Sequence, residues 1–331
     1  MITQSKIRGM FLGATIGDGL GMPVETFTPE KIKEKYGITR VTEYLVPTGH
    51  KWFDGRQAGT TTDDAQLTLA VAEGLIESGF DMNAQARKHV EAFQITTAGW
   101  GRTTKTAIRN LQNGAGWQTS GVNGVGNGVA MKIAPVGAYL RAMSDMTKTK
   151  EEKSLWLQSG FEFVRNLTLM THRSRNVLCS TVGMVVAFYK CLEDDCDVDA
   201  LPGYILKMSK AAKGWITGGE EDDDVVERLA LLSKHGEYDA EKLIAEFGGG
   251  SCYCYNSIPF ALMFFLNNPR SIDALYDVVS AGGDADTNGS MVGALLGALN
   301  GEEIFPKHLV DGLDGKDHIL EVADLFWEAI K

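Results

Sequence analysis

Two aspartates one residue apart, with a threonine beside the second, sit among glycines in GGDADTNG, Gly282 to Gly289. The apolar run that follows, SMVGALLGALNG, should bury the start of a helix, and buried carboxylates are costly unless something positive pairs with them. The acids therefore either cap that helix or hold an ion. Two further segments share the pattern: GDGLGMPVE, with Asp18 and Glu25, and TTTDDAQL, with Thr62, Asp63 and Asp64. Each lies at an expected helix end, and the second and third precede helix starts. Capping accounts for each segment taken singly, because threonine and aspartate are favoured N-caps and first-turn acids complement the helix dipole by ~0.3–1 kcal/mol. The repeated Thr/Asp/Asp chemistry points instead to an ion. Oxygen donors with no histidine or cysteine make a hard site, suited to Mg2+, Mn2+ or Ca2+ rather than zinc.

Helical periodicity supplies the elements that must position these groups. Leu67, Val71 and Leu75 mark one helix face, and Ile108 and Leu111 suggest another. Leu155 to Met170, Val177 to Leu192, Ile258 to Leu266 and Met291 to Leu299 read as buried helices. Ile38 to Val46 is the only strand candidate. The glycine- and asparagine-rich segment Gly114 to Gly128 reads as an ordered loop, because an apolar helix start, VAMKIAPVGAYL, follows at once. No low-complexity linker interrupts the chain, so a single mainly helical domain is expected. The 38 glycines, about 11% of the chain against a usual ~7%, are partly spaced by four: Gly9, Gly13, Gly17 and Gly21, then Gly289, Gly293, Gly297 and Gly301. In a helix that spacing lines one face, at up to ~1 kcal/mol per glycine against alanine, which makes sense where helices approach closely. Gly21 and Gly301 are expected to be caps or turns only.

Composition excludes several functions. The chain has 331 residues, 44% of them hydrophobic, enough for a substantial core. A net charge of -11 and a pI near 5.1, with no basic cluster interleaved with aromatics, argue against a nucleic-acid-binding face. No run is long enough to span a bilayer. The five cysteines form no CxxC pair and no zinc spacing, as expected of reduced thiols in a cytoplasmic protein without a signal peptide. The acidic runs EDDCDVD from Glu193 and EEDDD from Glu220 lack the spaced ligand loop of an EF-hand and read as solvated faces or helix starts.

GDGLGMPVE, TTDDAQ, GNGVAMKIAPVG, the pair Thr171-His172 and GGDADTNGSMVGALLGA together resemble the ordered motifs of the ADP-ribosylglycohydrolases, from about Ile7 to Ala298. The resemblance implies a compact, single-domain, all-α orthogonal helical bundle over residues 1–331, with two divalent cations, Mg2+ or Mn2+, in a cleft. It implies Thr62, Asp63, Asp64, Asp284, Asp286 and Thr287 as metal ligands. Glu25 would be the acid near the scissile bond, with Asp63 and Asp284 as further candidates for the base. Gly124, Val125, Gly126, Asn127 and Gly128 would approach the ADP-ribose, His172 would sit at its pyrophosphate, and Tyr253 would stack on the adenine. Three departures, Ala65 after TDD, Lys132 where arginine is frequent, and Arg173-Ser174-Arg175 after the histidine, leave the leaving group open.

Chemistry agrees with that assignment. An acidic protein can receive a pyrophosphate on glycine-loop amides and helix N-termini. Cleavage at an anomeric carbon passes through an oxocarbenium-like state, which nearby carboxylates stabilise and whose attacking water they can deprotonate. The expected activity is metal-dependent release of ADP-ribose from a modified target, foremost a protein side chain, by a monomer. Two alternatives stand beside it: hydrolysis of a small ADP-ribose derivative or of ADP-ribosylated nucleic acid, and a non-catalytic binding or structural protein on the same fold.

Overall fold

All regular secondary structure among the described residues, apart from two isolated backbone bridges, is helical. In a computed structural model that describes residues 2–216, 221 and 223–331, the chain opens with α1 (Gln4–Gly21), a 3-10 turn (Met22–Val24) and α2 (Pro29–Tyr36). An irregular stretch leads to α3 (Asp63–Ser78), α4 (Met82–Ile95), α5 (Arg102–Gln112) and the single turn α6 (Trp117–Ser120). Then come α7 (Ala134–Met146), α8 (Lys150–Thr171), α9 (Arg175–Cys191), α10 (Leu201–Ala212), α11 (Val225–Leu229) and α12 (Ala240–Glu246). The chain closes with α13 (Cys254–Asn267), α14 (Asp273–Ser280), α15 (Ala285–Asn300), α16 (Lys307–Asp311) and α17 (Lys316–Ile330). Each helix expected from periodicity is present. Among the described residues no helix is long and apolar enough to cross a membrane.

The expected strand Ile38 to Val46 is absent. That stretch is irregular, and an isolated extended segment has no neighbour to complete a ladder. Side chains from elsewhere hold it instead: Ser280 Oγ accepts from the Val41 N–H at 2.8 Å, and the Tyr44 hydroxyl donates to the Leu309 carbonyl at 2.9 Å.

α1 and α15 form the centre. Both are buried almost all round, which fits their low amphipathicity and high small-residue content. Gly9, Gly13 and Gly17 face Gly297, Gly293 and Gly289, numbers rising along one helix as they fall along the other, so the pair is antiparallel. A Cβ at Gly13, Gly17, Gly289, Gly293 or Gly297 would lie under 3.0 Å from the facing glycine's backbone, and one at Gly9 would meet the Gly301 backbone at 2.6 Å. Gly21, expected to be only a cap, belongs to the same seam, since a Cβ there would collide with the Ala285 backbone. Gly301 does act as a cap, with φ of 85°.

Antiparallel packing has one consequence for chemistry. It brings the C-terminal end of α1, and the turn holding Glu25, beside the N-terminal end of α15, where Asp284, Asp286 and Thr287 lie. The N-terminus of α3 joins them through Asp18 of α1. Its carboxylate accepts from the Thr62 N–H at 2.9 Å and from the Ala65 N–H at 3.0 Å.

Candidate functional site

Asp18 answers the question of caps against ions for the second acidic segment. It takes two of the orphan amides at the start of α3 from another helix, and the Thr62 side chain makes no cap hydrogen bond. Asp284, the N-cap residue of α15, likewise makes no side-chain cap. Asp286 accepts the Thr287 N–H at 2.8 Å in the first turn of α15, and capping leaves the other carboxylate oxygens for another task.

They converge. Ligand atoms of Glu25, Asp284 and Asp286 all lie within 4.8 Å of one another. Asp64 is tied to this group through the Thr287 hydroxyl, which donates to Asp64 Oδ2 at 3.1 Å, and it also accepts from the Thr62 hydroxyl at 3.4 Å. Asp63 shares one cavity wall with Glu25, Asp284, Asp286 and Thr287. Asp64 Oδ1 and Glu25 Oε2 are buried and find no hydrogen-bond partner among the described residues.

Burial dominates the electrostatics. It pushes Glu25 up to about 8, with Asp284 and Asp63 adding repulsion. Asp63 also rises to about 8, through burial and then the neighbouring Asp18. Asp284 and Asp18 rise to about 6, each held back by the hydrogen bonds it accepts, and Asp64 and Asp286 lie well above the usual aspartate range. Such a set cannot all be ionised without a compensating cation. Among the described residues, Lys132 is the cation that acts on Asp63; it is buried, has no hydrogen-bond partner there and is pulled down to about 7 by its own burial. Orphaned buried oxygens and an all-oxygen donor set fit hard divalent ions.

The glycine segment forms the opposite wall. Gly124 to Gly128 line a cavity of about 390 Å3 together with His172, Arg102 and the acids. Two short backbone pairings fix it: Val122 pairs with His172, and Gly126 pairs with Tyr253. Asn127 reaches the acids directly, its Nδ2 donating to Asp284 Oδ2 at 2.6 Å and to Ser257 Oγ at 2.9 Å. The His172 ring is buried and pushed down to about 3 by that burial, so it is neutral, with Nδ1 2.9 Å from the Thr171 hydroxyl. A second cavity, of about 700 Å3, meets the first at Glu25, Cys252 and Asp284 and is walled by Phe27, Trp52, Ile244, Glu30 and Glu241.

One expected residue is placed differently. Tyr253 joins the loop by its backbone, but its ring stacks on Tyr255 at 5.6 Å between centroids and its hydroxyl donates to Asp223 at 2.9 Å. It does not line the loop cavity. Residues that the sequence did not assign to the site also enter it: Arg102, Thr103 and Thr104 at the head of α5 and Cys252 between the cavities, while Asp18, noted in the sequence with Glu25, serves as the remote cap. The acidic run at Glu220 lies partly outside the described residues, Glu220 and Asp222 among those not described. Of its remainder, Asp224 caps α11 and Glu221 accepts from the Arg175 and Asn176 amides at 3.1 Å.

The chain resembles known proteins along its whole length. A family model described as ADP-ribosylglycohydrolase matches residues 1–331. The chain is 26% identical to an uncharacterized protein of Archaeoglobus fulgidus over 329 residues, covering 98% of this chain and 97% of that one. It is 25% identical to the ADP-ribosyl-[dinitrogen reductase] glycohydrolase of Rhodospirillum rubrum over 316 residues, 95% and 92% of the two chains. With the ADP-ribosylhydrolase ARH3 of Homo sapiens it shares 23% identity over 343 aligned positions, 94% and 90% of the two. A solved structure titled ADP-ribosylglycohydrolase-related protein complex has the same fold, with a TM-score of 0.71, 23% identity and 99% of each chain covered.

Proposed function

Since the chain belongs to the ADP-ribosylglycohydrolase family, we propose that it is a divalent-metal-dependent hydrolase that releases ADP-ribose from a modified protein side chain. The observation that carries this reading is the convergence of the three acidic segments on one site, with Asp64 Oδ1 and Glu25 Oε2 left as buried acceptors that have no partner among the described residues.

Thr62, Asp63, Asp64, Asp284, Asp286 and Thr287 would hold two cations, Mg2+ or Mn2+, in line with their oxygen chemistry. When bound, the cations supply a clamp for ribose hydroxyls and polarisation of a water. The remaining work falls to the chain. The Gly124–Gly128 loop, whose Asn127 N–H is already held by the Cys252 carbonyl at 3.0 Å, offers its other amides to the pyrophosphate with Arg102 at the cavity edge, and neutral His172 offers a ring N–H there without adding charge. Asn127 orients Asp284 through its 2.6 Å hydrogen bond. Glu25 stands where the two cavities meet, so its carboxylate can take a proton from a water approaching the anomeric carbon. The larger cavity is left for the target side chain. Aromatic Phe27 and Trp52 give it apolar walls, and among the described residues no lysine or arginine lines it.

Incubation with an ADP-ribosylated protein and Mg2+ or Mn2+, followed by assay of free ADP-ribose, tests the reading. Release that requires the cation supports it. ADP-ribose binding without turnover on arginine-, serine- and nucleotide-linked substrates would point to the non-catalytic alternative.

A further inference from the structure

His50 belongs to no motif, yet its ring closes on the backbone of Glu25. Nε2 lies 3.0 Å from the Glu25 carbonyl oxygen. A carbonyl can only accept, so Nε2 carries the proton. The Trp52 N–H approaches Nδ1 at 3.4 Å, which makes Nδ1 the acceptor and the ring a neutral tautomer. The residue is 3% exposed, and its ring is stacked on Phe53 with centroids 5.0 Å apart and planes 10° apart. Phe27 stands 5.5 Å away. The imidazole therefore has little freedom to turn away from Glu25.

The turn it holds is strained. Thr26, next to Glu25, has φ of 65° and is the one non-glycine residue with positive φ among those described. A β-branched side chain is disfavoured there, and such a conformation persists only where the surroundings over-determine it. On the other side the turn is clamped to the entry of α15. The Thr26 N–H donates to the Gly283 carbonyl at 2.6 Å, and the Gly283 N–H donates to the Phe27 carbonyl at 2.9 Å. Gly282, at φ of 76°, lets that entry pass against Phe27 where a Cβ would strike the carbonyl. Glu25 thus sits between two anchors, the segment that also carries Asp284 and the imidazole of His50.

We propose that His50 is a positioning residue for Glu25, pinning its carbonyl so that the strained turn keeps the carboxylate against Asp284 and Asp286. Without that hydrogen bond the Glu25 carbonyl keeps no side-chain anchor and the turn is held from the Gly283 side alone, so the Glu25 carboxylate loses its fixed place in the cluster. The proposal rests on the reading of Glu25 as the acid that acts at the scissile bond.

Two variants separate positioning from packing. His50→Phe keeps an aromatic ring and removes the donor, whereas His50→Gln places an amide N–H near the position of Nε2. The expected result is a kcat for ADP-ribose release ~10- to 100-fold lower in His50→Phe with KM little changed, and recovery of most of that loss in His50→Gln. Wild-type kcat in His50→Phe would overturn the proposal. So would equal impairment of the two variants when both melt like the wild type, because the ring would then matter only as packing. A long-range 1H–15N spectrum of the wild type, with the His50 signal assigned by its loss in His50→Gln, needs neither turnover nor a folded His50→Phe. Protonated Nε2 and bare Nδ1 are expected, and the opposite tautomer overturns the proposal. Absence of turnover in the wild type itself would instead count against the proposed function, leaving the tautomer to decide the contact.

Discussion

Gly13 and Gly293 face each other so closely that a Cβ on either would lie under 3.0 Å from the other's carbonyl group. This contact lies midway along the α1–α15 seam, and the seam sets where the acids at its end can meet. Because backbone rather than flexible side chain is the obstacle, Gly293→Leu has no space to relax into. It should destabilise the protein by more than the ~1–3 kcal/mol of ordinary overpacking. Denaturant melts check this, and a neutral or stabilised variant would show that close approach is not the reason for the glycines.

Stability should depend on pH in the metal-free protein. Glu25 and Asp63 titrate at about 8 in the fold against 4.5 and 3.8 ordinarily, so between about 4 and 8 the folded chain binds more protons than the unfolded one. The stability this contributes is full below the ordinary carboxylate range and is lost as pH rises toward 8. Melting of chelated protein should therefore fall over that window. Added Mg2+ or Mn2+ should remove most of the decline, since it binds the ionised form. A chelated protein whose melting temperature rises steadily from pH 4 to 8 would contradict the electrostatic account.

The glycine-flanked motifs were legible in the sequence because each is local: the TDD of α3, the DADT of α15 and the Gly124–Gly128 loop each lie within a few residues. Their helices were legible from apolar periodicity. What lay hidden depends on pairs far apart in the chain. Asp18 caps a helix that starts 44 residues later, at Thr62, and His50 holds a carbonyl 25 residues earlier, at Glu25. No spacing rule reports such contacts. The strand expected at Ile38 to Val46 failed for a related reason, since β-propensity without a neighbouring edge leaves the backbone to be satisfied by Ser280 and other side chains.

Tyr253 offers a sharper test of the adenine end. Its ring is stacked on Tyr255, over which Arg228 lies 4.6 Å from the centroid. If the outer tyrosine face takes the base, Tyr253→Ala should weaken ADP-ribose binding by ~10- to 150-fold, on a stacking scale of ~1–3 kcal/mol, without affecting metal binding. Calorimetry decides, and unchanged affinity would move the role to Tyr255.

Glu25→Gln separates chemistry from binding. The amide keeps the shape of the carboxylate and loses its basicity. Turnover should drop by at least the ~100-fold typical of a lost general base, while ADP-ribose affinity stays near wild type. Near-normal turnover would shift the base to Asp284 or Asp63. Loss of metal along with activity would make Glu25 a ligand first.

In the proposed function, the buried oxygens of Asp63, Asp64, Asp284 and Asp286 hold the cations on which hydrolysis depends. The most direct test is the rate of ADP-ribose release by exhaustively chelated protein before and after adding back Mg2+ or Mn2+. No release is expected before addition, recovery after it, and no recovery in Asp63→Ala or Asp286→Ala proteins that retain their helical spectrum. Full activity in excess chelator would contradict it.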